Sequence, residues 1–75
     1  MALVDELADR LAARVIAHVE ATGDEEMIAI LSTSLGDSSQ TLQEAFVTSV
    51  RVQRAAIRAD RLLDARIAAR GAADG

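Results

Sequence analysis

Asp60 and Asp64 stand four residues apart in a stretch without Gly or Pro, a spacing that on a helix points both carboxylates the same way. Metal sites in helical bundles use that arrangement, but they add further carboxylates and a Glu-x-x-His pair. This chain has no Glu-x-x-His and only one histidine. That residue, His18, follows Arg14 by one helical turn on an apolar arc. A proton shuttle or a metal ligand could stand there, and so could an interface histidine. With no cysteine and no His-Glu-x-x-His spacing, the interface reading is the stronger. An unpaired charge in an apolar seam is costly, so Asp60 and Asp64 are expected to meet arginines across a helix pair, with Gln53 on the same seam. No serine is set up as a nucleophile, because positions 32, 34, 38, 39 and 49 lie outside any Gly-x-Ser-x-Gly. The glycines at 23, 36, 71 and 75 make no phosphate-cradling run. The expectation is a protein that is not an enzyme and holds neither metal nor cofactor.

Arg51, Arg54, Arg58 and Arg61 recur at three- and four-residue spacing and stack into a basic stripe, where like charges repel modestly. All eight basic residues are Arg, the side chain suited to bidentate pairing with carboxylates. Asp60 and Asp64 point elsewhere on the helix, so the nearest supply of acid is Asp5, Glu6 and Asp9 near the start of the chain.

These residues need elements to position them, and the pattern implies three helices. The first spans about residues 3–21, with Leu3, Val4, Leu7, Ala8, Leu11, Val15 and Val19 on one stripe. Gly23 ends it, and Thr22 with Glu25 has the spacing of a capping box for a short helix over about 24–34. Gly36 is expected to be the left-handed residue of the next turn. A long helix follows over about 39–70, started by a Thr41–Glu44 capping box or by a cap at Asp37, Ser38 or Ser39. Gly71 is its expected stop, and 71–75 a frayed tail. The fold class is therefore all-α: two shorter helices packed on a long C-terminal one in a single domain over 1–75. The first helix pairs with the first half of the third, and the second closes one end like a lid.

Seventy-five residues bury a modest share of their surface, and without disulfides such small scaffolds rely on regular helix packing or on oligomerisation. A compact chain of this length has a radius of gyration of about 11 Å and so a diameter of roughly 30 Å, whereas 30 helical residues measure about 45 Å. The long helix should outrun any globule its own chain can build. Its apolar face, carrying Leu42, Phe46, Val50, Ile57, Leu63 and Ile67, is the expected oligomer interface, most simply that of a homodimer. His18, Gln53, Asp60 and Asp64 are its expected polar positions. The charge is −4 overall but uneven: residues 1–40 hold eight acids against Arg10 and Arg14, and residues 41–75 hold six arginines against four acids. That asymmetry favours the two halves packing on one another, within a chain or between chains.

Met27 to Val47 also resembles a helix-turn-helix, with Leu31, then Leu35-Gly36, then a polar cap at Ser38 or Ser39, then Thr41-Leu42 and Ala45. The resemblance implies a small DNA-binding regulator using residues 27–54. Asp37 stands where an apolar residue usually follows the turn glycine, and the second helix opens with Gln40, Gln43 and Glu44 before reaching Arg51. An acid at the end that approaches phosphate opposes binding, which leaves nucleic acid the weaker partner. The longest apolar run, Met27 to Leu31, is far too short for a membrane span, and Asp5 and Glu6 replace the basic start of a signal peptide. The expected location is the cytoplasm, and the expected partner is a second copy of the chain or another protein.

One prediction follows from the acids at 60 and 64. Added divalent cations should leave the thermal unfolding midpoint unchanged. A rise that Asp60→Asn abolishes would establish a metal site there instead.

Overall fold

In the computed structural model, residues 2–74 are described, with side chains through Ala72. They form three helices and, among the described residues, no strand: α1 (Ala2–Thr22), α2 (Glu26–Ser38) and α3 (Gln40–Asp74). The direction of packing can be read from the side chains that bridge the helices. Asp9 meets Ser49 and Glu20 meets Arg61, so α1 and α3 run parallel. Ser32 meets Gln43 and Glu25 meets Arg54, so α2 runs antiparallel to α3. The long C-terminal helix thus carries both shorter ones. α2 lies along the flank of α3 and barely touches α1, so it is a second side wall rather than a lid.

The core is a single contiguous cluster of Ala8, Ala12, Val15 and Ile16 from α1 with Phe46 and Val50 from α3. Phe46 is 0% exposed and is the largest fully buried side chain. Ala8 and Ala12 stand opposite it at 1% and 0% exposure, because only small side chains let the two helices close over an aromatic ring. Leu42, Ala45, Val47 and Ile57 extend this cluster from α3, while Met27, Ile28, Leu31 and Leu35 line it from α2. The buried face of α1 is Ala8, Ala12, Val15 and Ile16, which keeps Ala8 and Val15 of the expected stripe but not its first leucines. Leu3 and Leu7 accordingly stand 61% and 41% exposed.

The turns depart from expectation in instructive ways. Gly23 has a φ of +77°, a conformation an L side chain rarely adopts, and it ends α1 as its position suggests. Thr22 does not cap α2. Its hydroxyl donates to the His18 carbonyl at 2.8 Å and accepts from the Asp24 N–H at 3.1 Å, and Glu25, which begins α2, makes no side-chain cap. Gly36 lies inside α2, which runs on to Ser38. There the missing Cβ lets the Gln43 carboxamide lie against α2, since a Cβ at Gly36 would stand 2.6 Å from its Nε2. Ser39 alone separates α2 from α3, and its hydroxyl accepts from the Leu42 N–H at 3.1 Å, so it caps α3 in place of a Thr41–Glu44 box. Gly71 is no stop either: φ is not positive there, and α3 continues to Asp74. Of the expected tail, Gly75 lies outside the described residues.

The expected mismatch of length is present. The radius of gyration is 15.9 Å and the longest dimension 55 Å. That dimension is essentially α3 itself, whose 35 residues measure about 52 Å.

Phe46→Ala should cost about 3–5 kcal/mol and Gly23→Ala about 1 kcal/mol, the first from a cavity and the second from backbone strain. Urea unfolding monitored by helicity measures both. A near-neutral Phe46→Ala would show that the core is not organised around this ring.

Candidate functional site

Two polar residues on the apolar face of α3, Ser49 and Gln53, are engaged between helices. Ser49 is 7% exposed, yet its hydroxyl donates to Asp9 Oδ1 at 2.6 Å. Gln53 Nε2 donates to the Asp9 carbonyl and to Ser49 Oγ, both at 3.0 Å. One turn of α1 is thereby tied to two turns of α3 by bonds that need these partners in this order. A one-turn slip would leave the buried Ser49 hydroxyl without its acceptor. This triad was legible only in part: Gln53 stood out as an interruption of an apolar face, but no local pattern couples it to Asp9, 44 residues away.

The arginine stripe finds partners other than the expected Asp5, Glu6 and Asp9. Arg54 makes a bidentate pair with Glu25, Nη1 to Oε1 at 2.6 Å and Nη2 to Oε2 at 2.9 Å, joining the start of α2 to the middle of α3. Arg61 reaches Glu20 near the end of α1 at 3.2 Å. Arg51 and Arg58 are exposed and make no ion pair among the described residues. The reason is topological. Parallel packing sets Asp9 level with the beginning of the stripe, where Ser49 and Gln53 engage it on another side of α3, and brings the α1–α2 junction alongside Arg54 and Arg61. The Arg54 hydrogen bond holds the Glu25 carboxyl below its ordinary value, and the same contact raises the pKa of Arg54.

His18 is exposed and places Nε2 2.9 Å from Asp24 Oδ2, across the turn at Gly23. It is a junction residue, not a seam residue. Asp60 and Asp64 are exposed, and among the described residues neither meets an arginine. They sit on the continuation of the core-facing side of α3, beyond the point where Arg61 meets Glu20 and α1 ends. Within the single chain no helix lies beside them. Among the described residues no group of three or more His, Asp or Glu could hold a metal, and no helix is long and apolar enough to cross a membrane.

The expected interface face divides in two. Phe46 and Val50 are sealed inside the chain's own core, and Leu42 and Ile57 are half-buried against it. Leu63 and Ile67 are 58% and 59% exposed. Every residue from Arg58 to Ala72 is exposed, which makes this part of α3 an arm without intramolecular cover. At roughly 100° per residue, Leu62 and Leu63 of the arm turn away from the core-facing side of α3, whereas Ile67 stays on it, close to Asp60. Leu62 and Leu63 continue a stripe of Ala45, Thr48, Val52, Ala55, Ala56 and Ala59, of which Val52 is 62% and Leu62 74% exposed. Towards the other end, this stripe forms one wall of an open groove of about 810 Å³, whose opposite wall is Val4, Asp5 and Asp9 of α1. Glu44 stands at its rim.

The segment resembling a helix-turn-helix lacks the glycine turn. Gly36 is helical, one residue joins the helices, and Gln43 at the start of α3 is turned into α2, donating to the Ser32 carbonyl at 2.9 Å. Comparison with known protein families, with curated proteins and with solved structures finds no match.

The Glu25–Arg54 pair sets a pH dependence. A carboxyl whose folded pKa lies below its ordinary 4.5 contributes stability above that value and loses it as pH falls through the folded pKa. Glu25→Gln should therefore lower the thermal midpoint at pH 7, and the gap from the parent chain should close as pH falls below 4.5 and through the folded pKa. A gap unchanged by acid would show that the pair contributes nothing.

Proposed function

We propose that this protein is a non-enzymatic helical module that works by assembling with itself, most simply as a homodimer, or by binding another protein. The observation that carries this reading is the uncovered arm of α3, with Leu62, Leu63 and Ile67 between 58% and 74% exposed. An isolated helix of about this length is marginal in water, because nucleation is costly and most helical stability comes from packing an apolar face. The arm gains that packing only from another molecule. A small single core also supplies at most about 3–5 kcal/mol, so further burial is needed for robust folding. The side chains that could do chemistry support the same reading. Ser49, Asp9, Gln53, His18, Asp24, Glu25 and Arg54 are bonded to one another as struts between helices and across their turns.

Light scattering on the eluting peak should give twice the chain mass at tens of micromolar. Leu62→Asp should return the mass to that of one chain while leaving the core intact, since Leu62 touches nothing in the folded monomer that needs it apolar. A monomer mass for the parent chain, with helicity and cooperative melting preserved, overturns the reading. Retention on heparin that falls steeply with salt would favour the DNA-binding alternative instead, because phosphate contacts release counterions.

A further inference from the structure

We propose that two copies pair their α3 helices antiparallel about a two-fold axis beside Ala55 and Ala59, each arm lying in the acidic groove between α1 and α3 of the other copy. This rests on the self-assembly reading above and adds the surfaces and their direction.

The first support is continuity. The exposed apolar stripe of the arm and the α3 wall of the groove are one straight line along a single helix, so one copy presents both the insert and its receptor. An interface made of the same patch on both molecules is what a two-fold axis requires. The second support is register. With the axis between Ala55 and Ala59, these two alanines face each other across it, where small side chains let helix axes approach closely. The same register sets Leu62 of one copy on Val52 of the other, joining two side chains that are 74% and 62% exposed in the single chain. It also brings Arg66 beside Thr48 and Asp9, and Arg70 beside Glu44.

Charge decides the direction. Arg66 and Arg70 are exposed and make no ion pair among the described residues. Among the described residues Glu44 has only a long contact of 3.4 Å from Gln40. An antiparallel pairing matches the cationic arm with the acidic groove twice over. A parallel pairing on the same stripe would set Arg66 against Arg66 and Arg70 against Arg70, and would leave the groove empty. Like charges directly opposed are destabilising, so the stripe is self-complementary in one direction only. The uneven charge of the chain, acidic in its first forty residues and basic after them, acquires a use in this arrangement.

The test combines charge reversal with cross-linking. Glu44→Arg and Arg70→Glu should each raise the dimer dissociation constant about tenfold, because each change turns two symmetry-related attractions into repulsions, and the double variant should recover most of the loss. The chain has no cysteine, so introduced thiols are unambiguous. Copies carrying Thr48→Cys mixed with copies carrying Arg66→Cys should form a disulfide between unlike copies under mild oxidation, and neither variant alone should do so readily. All four positions are exposed, so folding is retained and can be checked by helicity. A dimer whose affinity ignores both reversals and that forms no 48–66 disulfide overturns this geometry while leaving self-assembly standing. Rapid 66–66 disulfides overturn it in favour of a parallel pair. A monomer at every concentration overturns the geometry and the self-assembly reading together.

Discussion

A helix of 35 residues cannot be covered by partners of 21 and 13 residues, and most of the structure follows from how that shortfall is distributed. α1 packs parallel to α3 and starts near the same end, so all of its cover falls on the first two-thirds of α3. Had α1 packed half a helix further along, both ends of α3 would be partly exposed and neither would form an arm. The register that prevents this is held by Asp9, Ser49 and Gln53 at one level and by Glu20 with Arg61 at another. Beside the first level, one turn before Ser49, Phe46 packs in one cluster with Ala8 and Ala12, so the packing centre and the polar seam specify the same alignment.

The polar residues divide by whether a second helix is within reach. Where α1 or α2 lies alongside, Ser49, Gln53, Gln43 and Arg54 are drawn into bonds between elements, and no buried side-chain nitrogen or oxygen among the described residues is left without a partner. Where α3 has outrun its cover, Asp60 and Asp64 occupy the same side of the helix in water. Charges there cost nothing in a single chain. They also keep the core-facing side of the arm, which Ile67 shares, from being a simple extension of the core, while Leu62 and Leu63 lie on the side of Val52.

Several signals in the sequence were local coincidences. Thr22–Glu25 and Thr41–Glu44 have capping-box spacing, yet Thr22 bonds across its own turn and Ser39 caps α3. Such a box needs only two residue types at a fixed interval, which chance supplies often in a polar turn. Glycine at 36 and 71 suggests left-handed stops because it takes that conformation at little cost, but nothing obliges it to. At Gly36 the helix continues because Gln43 needs the space a Cβ would fill. At Gly23 the chain must reverse before α2 can lie antiparallel, and there the left-handed conformation is used.

What the sequence determined by itself was whatever depends on neighbours three or four residues away: three helices, the break at Gly23, the cap at Ser39 among its alternatives, and a last helix too long for its globule. The 3.6-residue period also placed Phe46, Val50 and Ile57 on a common face. Only the tertiary structure decided what that face meets, because periodicity says that a side of a helix is apolar without saying which element lies against it or where that element ends. Hence Phe46 and Val50 became core while Leu63 and Ile67 stayed in solvent, and Glu20 and Glu25, rather than Asp5, Glu6 and Asp9, became the partners of the arginine stripe. Those outcomes turn on the parallel direction of α1 and its end point near Arg61, quantities fixed by contacts some forty residues apart.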